Sequence, residues 1–140
     1  MNKTYGVVKM KKTIRKVYKI SSTIDRVWQA LVDPTVINEW GGGPSKMDSQ
    51  VGTEFELWNG DIYGKNIEVE SKSKLVQEWF GGDWAKPSVL TFTLKEDKNS
   101  VILELVQTEV PDEEFEDIDS GWDEYYLGPM KQMLEKEYKN

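Results

Sequence analysis

Apolar residues recur along this chain at two distinct periods, and the changes between them mark its elements. From Lys12 to Ile20 the positions Ile14, Tyr18 and Ile20 share one face, which predicts a strand even though Lys16 falls on that same face. Ile24, Val27, Trp28 and Leu31 then follow at i, i+3, i+4 and i+7, the stripe of an amphipathic helix. Ser22, with Asp25 three residues on, reads as a capping-box variant at its start. Asp33-Pro34 stops this helix and opens a second, with Asp as N-cap and Pro at the first helical position. The second helix is short, since Val36, Ile37 and Trp40 lead straight into Gly41-Gly42-Gly43-Pro44.

Period two then takes over. Phe55 and Leu57 alternate with Glu54 and Glu56 ahead of Asn59-Gly60, the dipeptide of a type I′ hairpin. Ile62, Tyr63, Ile67 and Val69 mark a return strand, and Leu75, Gln77 and Trp79 another, closed by Gly81-Gly82-Asp83. Leu90, Phe92 and Leu94 alternate with Thr91 and Thr93, a turn fills Glu96 to Ser100, and Val101, Leu103, Leu105 and Gln107 form the last run. The spacing makes several of these runs antiparallel hairpin partners. Pro111 ends the sheet. A final helix carries Trp122, Tyr126, Met130, Met133 and Leu134 on one stripe, and acids before and within its first turn complement its dipole. Gly128-Pro129 inside it should kink or restart it. A strand, two helices, about five further strands and one long helix define an α+β fold, an antiparallel sheet packed against helices.

A length of 140 residues fits a single domain, expected over residues 10–138 with a loose lead-in at 1–9. No apolar run approaches the roughly 20 residues of a membrane span. The opening MNKTYGVVKMKK has no apolar core of a secretory signal, so a cytoplasmic monomer is expected. The 18 Lys and Arg stand against 25 Asp and Glu, a net charge of −7, and the two signs are segregated. Residues 1–20 hold seven bases and no acid; residues 109–124 hold nine acids and no base. Lysines on an edge strand deter edge-to-edge pairing, and that reading is preferred to a nucleic-acid arm in a chain of this net charge.

Composition narrows the chemistry. With no Cys and no His there is no disulfide, thiolate nucleophile, imidazole base or histidine-ligated metal. Neither glycine run completes a phosphate-binding motif. Asp117-x-Asp119-x-Gly121-x-Asp123 has Gly121 and Trp122 where a calcium loop needs Asp or Asn and then Gly, so a solvated helix entrance is the better reading. Glu54, Glu56, Glu68 and Glu70 alternate with apolar residues, which places most of them outward. No catalytic residue, metal or cofactor is expected. Tyr63, Tyr126 or an inward Gln107 could hydrogen-bond a ligand. The positive signal is aromatic: Trp40, Phe55, Trp79, Phe92, Trp122 and Tyr126 all fall on apolar faces of elements that should pack together, as core or as the wall of a cavity.

These residues resemble a known family. Val27-Trp28, Asp33-Pro34 through Trp40, Gly52-Thr53-Glu54-Phe55, Asn59-Gly60-Asp61-Ile62-Tyr63-Gly64, Trp79 and Leu90-Thr91-Phe92-Thr93 occur in order. Gly121-Trp122-Asp123-Glu124-Tyr125-Tyr126 followed by Lys131-Gln132 looks like the closing-helix signature of the same group. From Thr13 to Lys136 the chain is similar to the C-terminal domain of the activator of heat shock protein 90 ATPase, within the START-like (SRPBCC) superfamily. The resemblance implies a helix-grip, birch-pollen-allergen-like fold: a curved antiparallel sheet wrapped around a long C-terminal helix, with two short helices after the first strand. It implies a non-catalytic domain, with a cavity between sheet and helix for a small apolar or aromatic molecule. The expected lining is Trp40, Phe55, Leu57, Trp79, Leu90, Phe92, Gln107, Trp122, Tyr126 and Met130. An alternative implied by the family is a chaperone-interaction module, with the basic first strand and the acidic approach to the last helix as contacts. Stand-alone relatives resemble carriers or stress-associated proteins, and others are cyclases or hydrolases, a third reading. The larger co-chaperones carry a further N-terminal domain that does much of the ATPase stimulation, so stimulation by this chain alone is not expected.

Overall fold

Ten residues of alternating pattern form β1, Lys11–Ile20, in the computed structural model, which describes residues 11–82, 84 and 86–139. The lead-in expected at residues 1–9 lies outside the described residues. Ile14 and Ile20 are buried on the inward face, and Lys16 lies between them with its side chain 15% exposed. Helix α1 spans Ile24–Val32 and buries Val27, Trp28, Ala30, Leu31 and Val32. Its cap is Thr23, whose hydroxyl accepts from the Arg26 N–H, and not the expected Ser22. Ser22 is drawn into the interior by the turn in which its N–H donates to the Ile20 carbonyl, so the helix starts one residue later. Helix α2, Pro34–Trp40, opens as its sequence predicts, with the Asp33 carboxylate accepting from the Thr35 N–H at 2.9 Å.

The two helices carry the chain across the molecule, from one sheet edge to the other. Strands β2 (Glu54–Leu57), β3 (Ile62–Glu70), β4 (Lys74–Gly81), β5 (Ser88–Asp97) and β6 (Ser100–Pro111) then meander back until β6 pairs with β1. The result is a curved six-stranded antiparallel sheet in the order β1-β6-β5-β4-β3-β2. The β2–β3 connection is not the two-residue turn read from Asn59-Gly60. Leu57 pairs with Ile62, and Trp58, Asn59 and Gly60 all take positive φ in a 3-10 turn. A larger loop swings Trp58 back over the interior, where its indole N–H donates to the Gly41 carbonyl at 2.8 Å.

A 3-10 turn, Asp112–Glu114, leads from β6 into helix α3, Phe115–Gly121, so much of the acidic segment is helical and the closing helix begins earlier than Trp122. The calcium-like spacing of aspartates therefore lies on a helix. Lys16 reaches two of them, Asp119 at 3.2 Å and Asp123 at 2.8 Å, while Lys12 meets Asp112 at 3.0 Å. The Tyr18 hydroxyl also donates to Asp123 at 2.5 Å. Desolvation would raise the Asp123 carboxyl, but the hydrogen bonds from Lys16 and Tyr18 and the lysine charge outweigh it and hold it below the ordinary range. The segregated charges thus meet each other across the β1 edge.

The kink expected at Gly128-Pro129 takes another form. Residues Trp122–Tyr126 make a π-turn in which the Leu127 N–H donates to the Trp122 carbonyl, five residues back, and α4 then runs unbroken over Leu127–Lys139. Proline has no N–H, and its ring collides with the carbonyl four residues earlier in a regular helix, so a widened turn just ahead of it removes the conflict. The widening swings the Asp123 carbonyl under residue 128, where a Cβ would overlap it, and only glycine fits. Gly128→Ala is expected to destabilise the protein by about 1–3 kcal/mol, read from the midpoint of urea unfolding, despite the better helix propensity of alanine.

Candidate functional site

One rung of the sheet sets the chemistry of the interior. Asn66, Gln77, Leu90 and Gln107 stand opposite one another on β3, β4, β5 and β6, and all four are fully buried. Three amides in an apolar interior are costly unless they are paired. Asn66 donates to the carbonyls of Asp48 and Gln50 at 3.0 and 3.2 Å, Gln77 donates to Asn66 Oδ1 at 2.9 Å, and Trp79 Nε1 donates to Gln77 Oε1 at 2.9 Å. This chain ties the loop ahead of β2 to the indole of β4. Gln107 works alone: its Oε1 accepts from Trp122 Nε1 at 2.8 Å, while its Nε2 has no partner.

Those bonds fix two indoles face to face. Trp79 and Trp122 stack with centroids 4.9 Å apart and planes 28° apart. The π-turn delivers Tyr126 beside them, 4.7 Å from Trp122 and 4.5 Å from Trp40. Phe92 closes the floor at 5.8 Å from both Trp122 and Tyr126. Gly64 sits between Phe55 and Trp79 on a neighbouring rung; a Cβ there would overlap the Glu78 carbonyl and crowd the Phe55 ring at 3.1 Å, and the Phe55 and Trp79 rings stand 6.5 Å apart across it.

At the open end of this stack lies a pocket of about 320 Å³, lined by Trp58, Asp61, Ile62, Trp79, Ile118, Gly121, Trp122, Tyr125 and Tyr126. It lies between the β2–β3 hairpin and the closing helix, near the lower end of the range for small-molecule sites. Tyr125, 63% exposed, forms part of its rim. Burial pushes the Tyr126 hydroxyl far above the ordinary tyrosine range, so it stays protonated, and it has no hydrogen-bond partner. Among the described residues no three Asp or Glu side chains converge into a metal-ligating cluster. The arrangement offers a planar molecule ring faces to stack on.

The ten residues expected to line a cavity are all buried, but they divide into two groups. Trp79, Trp122 and Tyr126 reach the pocket; Trp40, Phe55, Leu57, Leu90, Phe92 and Met130 pack in the core behind it, and Gln107 acts through Trp122. Tyr63 points the other way, 44% exposed and stacked on Phe80 at 5.4 Å. Trp58, Asp61, Ile62, Ile118, Gly121 and Tyr125 complete the pocket, and sequence reasoning missed them as lining residues. Trp58 carried a signal, a tryptophan set directly before a turn dipeptide, where no strand face claims it.

A curved antiparallel sheet closed by a long C-terminal helix, with an aromatic interior, defines a helix-grip protein of START-like type. The family model described as activator of Hsp90 ATPase homolog 1-like protein matches residues 21–135, and the chain belongs to that family. An uncharacterized protein of Schizosaccharomyces pombe is 25% identical over 116 residues, 81% of this chain and 34% of its own length. The activator of 90 kDa heat shock protein ATPase homolog of Dictyostelium discoideum is 36% identical over 87 residues, 60% of this chain and 23% of that protein. The chain therefore spans about a third or less of the curated relatives it matches. Among solved structures, an HSP90 activator from Plasmodium falciparum shares the fold with a TM-score of 0.81 at 21% identity, covering 87% of this chain and 95% of that one. A protein from Mesorhizobium loti has a TM-score of 0.78 at 23% identity over 89% of this chain and 98% of its own. No helix among the described residues is long and apolar enough to cross a membrane.

The two buried glutamines should respond differently to substitution. Gln77→Leu strands the Trp79 N–H and breaks the bond to Asn66, and is expected to cost about 2–4 kcal/mol. Gln107→Leu strands one N–H but also removes an unpaired donor, and is expected to cost less than half as much. Equilibrium urea unfolding of the two variants side by side measures the difference.

Proposed function

We propose that this family member is a non-catalytic binding domain whose site is the pocket at the mouth of the sheet, and that its ligand is a small molecule with an apolar or aromatic body. The observation that carries this reading is the pocket itself: about 320 Å³ walled by the rings of Trp58, Trp79, Trp122, Tyr125 and Tyr126. The deeper interior supports a short ligand over a long one, because Trp40, Phe55, Phe92 and Met130 fill it. Titration with a neutral probe, 1-naphthylmethanol, is expected to shift the indole N–H resonances of Trp58, Trp79 and Trp122 and to leave that of Trp28, on α1, unmoved. Tyr125→Ala, at an exposed position, should weaken binding about fivefold without unfolding the protein. If aromatic probes, neutral and cationic alike, leave these resonances in place, this reading fails.

A second reading is favoured by the family itself: contact with a heat shock protein 90-type chaperone, the partner named for the relative from Dictyostelium discoideum. The charged surfaces expected to serve it are partly committed to each other, Lys12 to Asp112 and Lys16 to Asp119 and Asp123. Capture of a purified chaperone of this type on immobilised protein, lost at high salt, is the result this reading expects. A chaperone that passes through unretained at low salt counts against it.

A further inference from the structure

The pocket at the sheet mouth is chemically one-sided. Five aromatic rings, two isoleucines and a glycine wall it, and Asp61 is its single charged residue. The N–H groups of its three tryptophans are engaged elsewhere, Trp58 on the Gly41 carbonyl, Trp79 on Gln77 and Trp122 on Gln107. The Tyr126 hydroxyl is buried behind its ring, so apart from the Tyr125 hydroxyl at the rim these side chains offer a ligand ring surface and one carboxylate. The face of an aromatic ring carries negative charge density and attracts a cation. No Lys or Arg lines the pocket, and among the described residues no cation forms an ion pair with Asp61. Ile118 and Gly121, on the opposite wall, belong to the 109–124 stretch that holds nine acids and no base; Lys12 and Lys16 pair with three of them, and the remaining excess gives the field around the mouth the same sign.

An anion would be repelled from such a site, and a neutral molecule would use Asp61 only as a hydrogen-bond acceptor, leaving its charge unmatched. A compact primary ammonium gives up its water at high cost, whereas a charge spread over alkyl groups sheds its hydration more readily and presents apolar surface to the rings. Resting on the pocket reading above, we propose that the ligand of this site is a small organic cation, a tertiary or quaternary ammonium on an apolar or aromatic body, held by the ring faces and Asp61. The rings recognise the body and the diffuse charge together; Asp61 supplies the sign.

Two probes of equal shape isolate the charge. Benzyltrimethylammonium and neopentylbenzene differ only in the nitrogen or carbon at the branch point. Titration of the intact protein at low salt is expected to show the cation binding about tenfold more tightly, with shifts at the Trp58, Trp79 and Trp122 indoles. Asp61→Asn, which alters an exposed carboxylate, should cut that ratio to about twofold, and the ratio should also fall as salt is added. Glu96→Gln, at the exposed far end of β5, is expected to leave the ratio unchanged. Neopentylbenzene binding as well as the cation at these indoles would overturn the charge assignment and leave the pocket reading in place. Failure of both probes to move these indoles would overturn both.

Discussion

A buried indole must find an acceptor for its one N–H, and the interior of this protein is arranged around that demand. Trp40 donates to the Ala30 carbonyl, Trp58 to the Gly41 carbonyl, Trp79 to Gln77 and Trp122 to Gln107. Each bond ties one element to another or braces a strand: α2 to α1, the β2–β3 turn to the end of α2, and the closing helix to β6. Gln77 could not serve Trp79 without Asn66 to orient its amide, and Asn66 in turn fastens the loop ahead of β2. The polar rung across an otherwise apolar sheet is therefore a consequence of the rings above it.

The closing helix is held by two kinds of contact of unequal weight. Its ion pairs to β1 are partly exposed, and pairs of that sort contribute about 0–1 kcal/mol each. Trp122, Tyr126, Leu127, Met130 and Leu134 are essentially buried, at about 1.5–3 kcal/mol for a large apolar side chain. Apolar burial holds the helix down, and the lysines of β1 choose where along the edge its acidic turn comes to rest. Lys16, which spoiled the alternation of the first strand, has its explanation in that second role.

Much of the fold was legible in the order of residues. Period-two runs marked all five later strands, Asp33-Pro34 marked the start of α2, and the family motifs pointed to a helix-grip fold. The errors came where two local signals competed. Ser22 and Thr23 are both good caps, and only tertiary burial of Ser22 decides between them. Asn59-Gly60 carries a strong two-residue turn signal, but Trp58 gains more by covering the interior than by ending a strand, and the loop lengthens to let it. Pro129 signals trouble in a helix without saying which remedy is used. The mouth pocket was the least legible part. It is built from residues on a turn and on a helix rim, whose neighbours in space have no fixed spacing in sequence. Aromatic periodicity found Trp79, Trp122 and Tyr126 but had no means of finding Asp61 or Tyr125.

The stacked pair of Trp79 and Trp122 has an optical consequence. Two indoles at 4.9 Å with a 28° offset share their excited states, because their transition dipoles are close and held at a fixed angle. The coupled part of their circular dichroism, carried by the intense indole band of the far ultraviolet, is then a property of the pair, and it exists only while the closing helix lies on the fourth strand. Separation of that helix from the sheet would extinguish the signal while leaving each ring chemically unchanged. The molecule thus carries its own gauge of whether the grip is closed, set beside the place where a guest would enter.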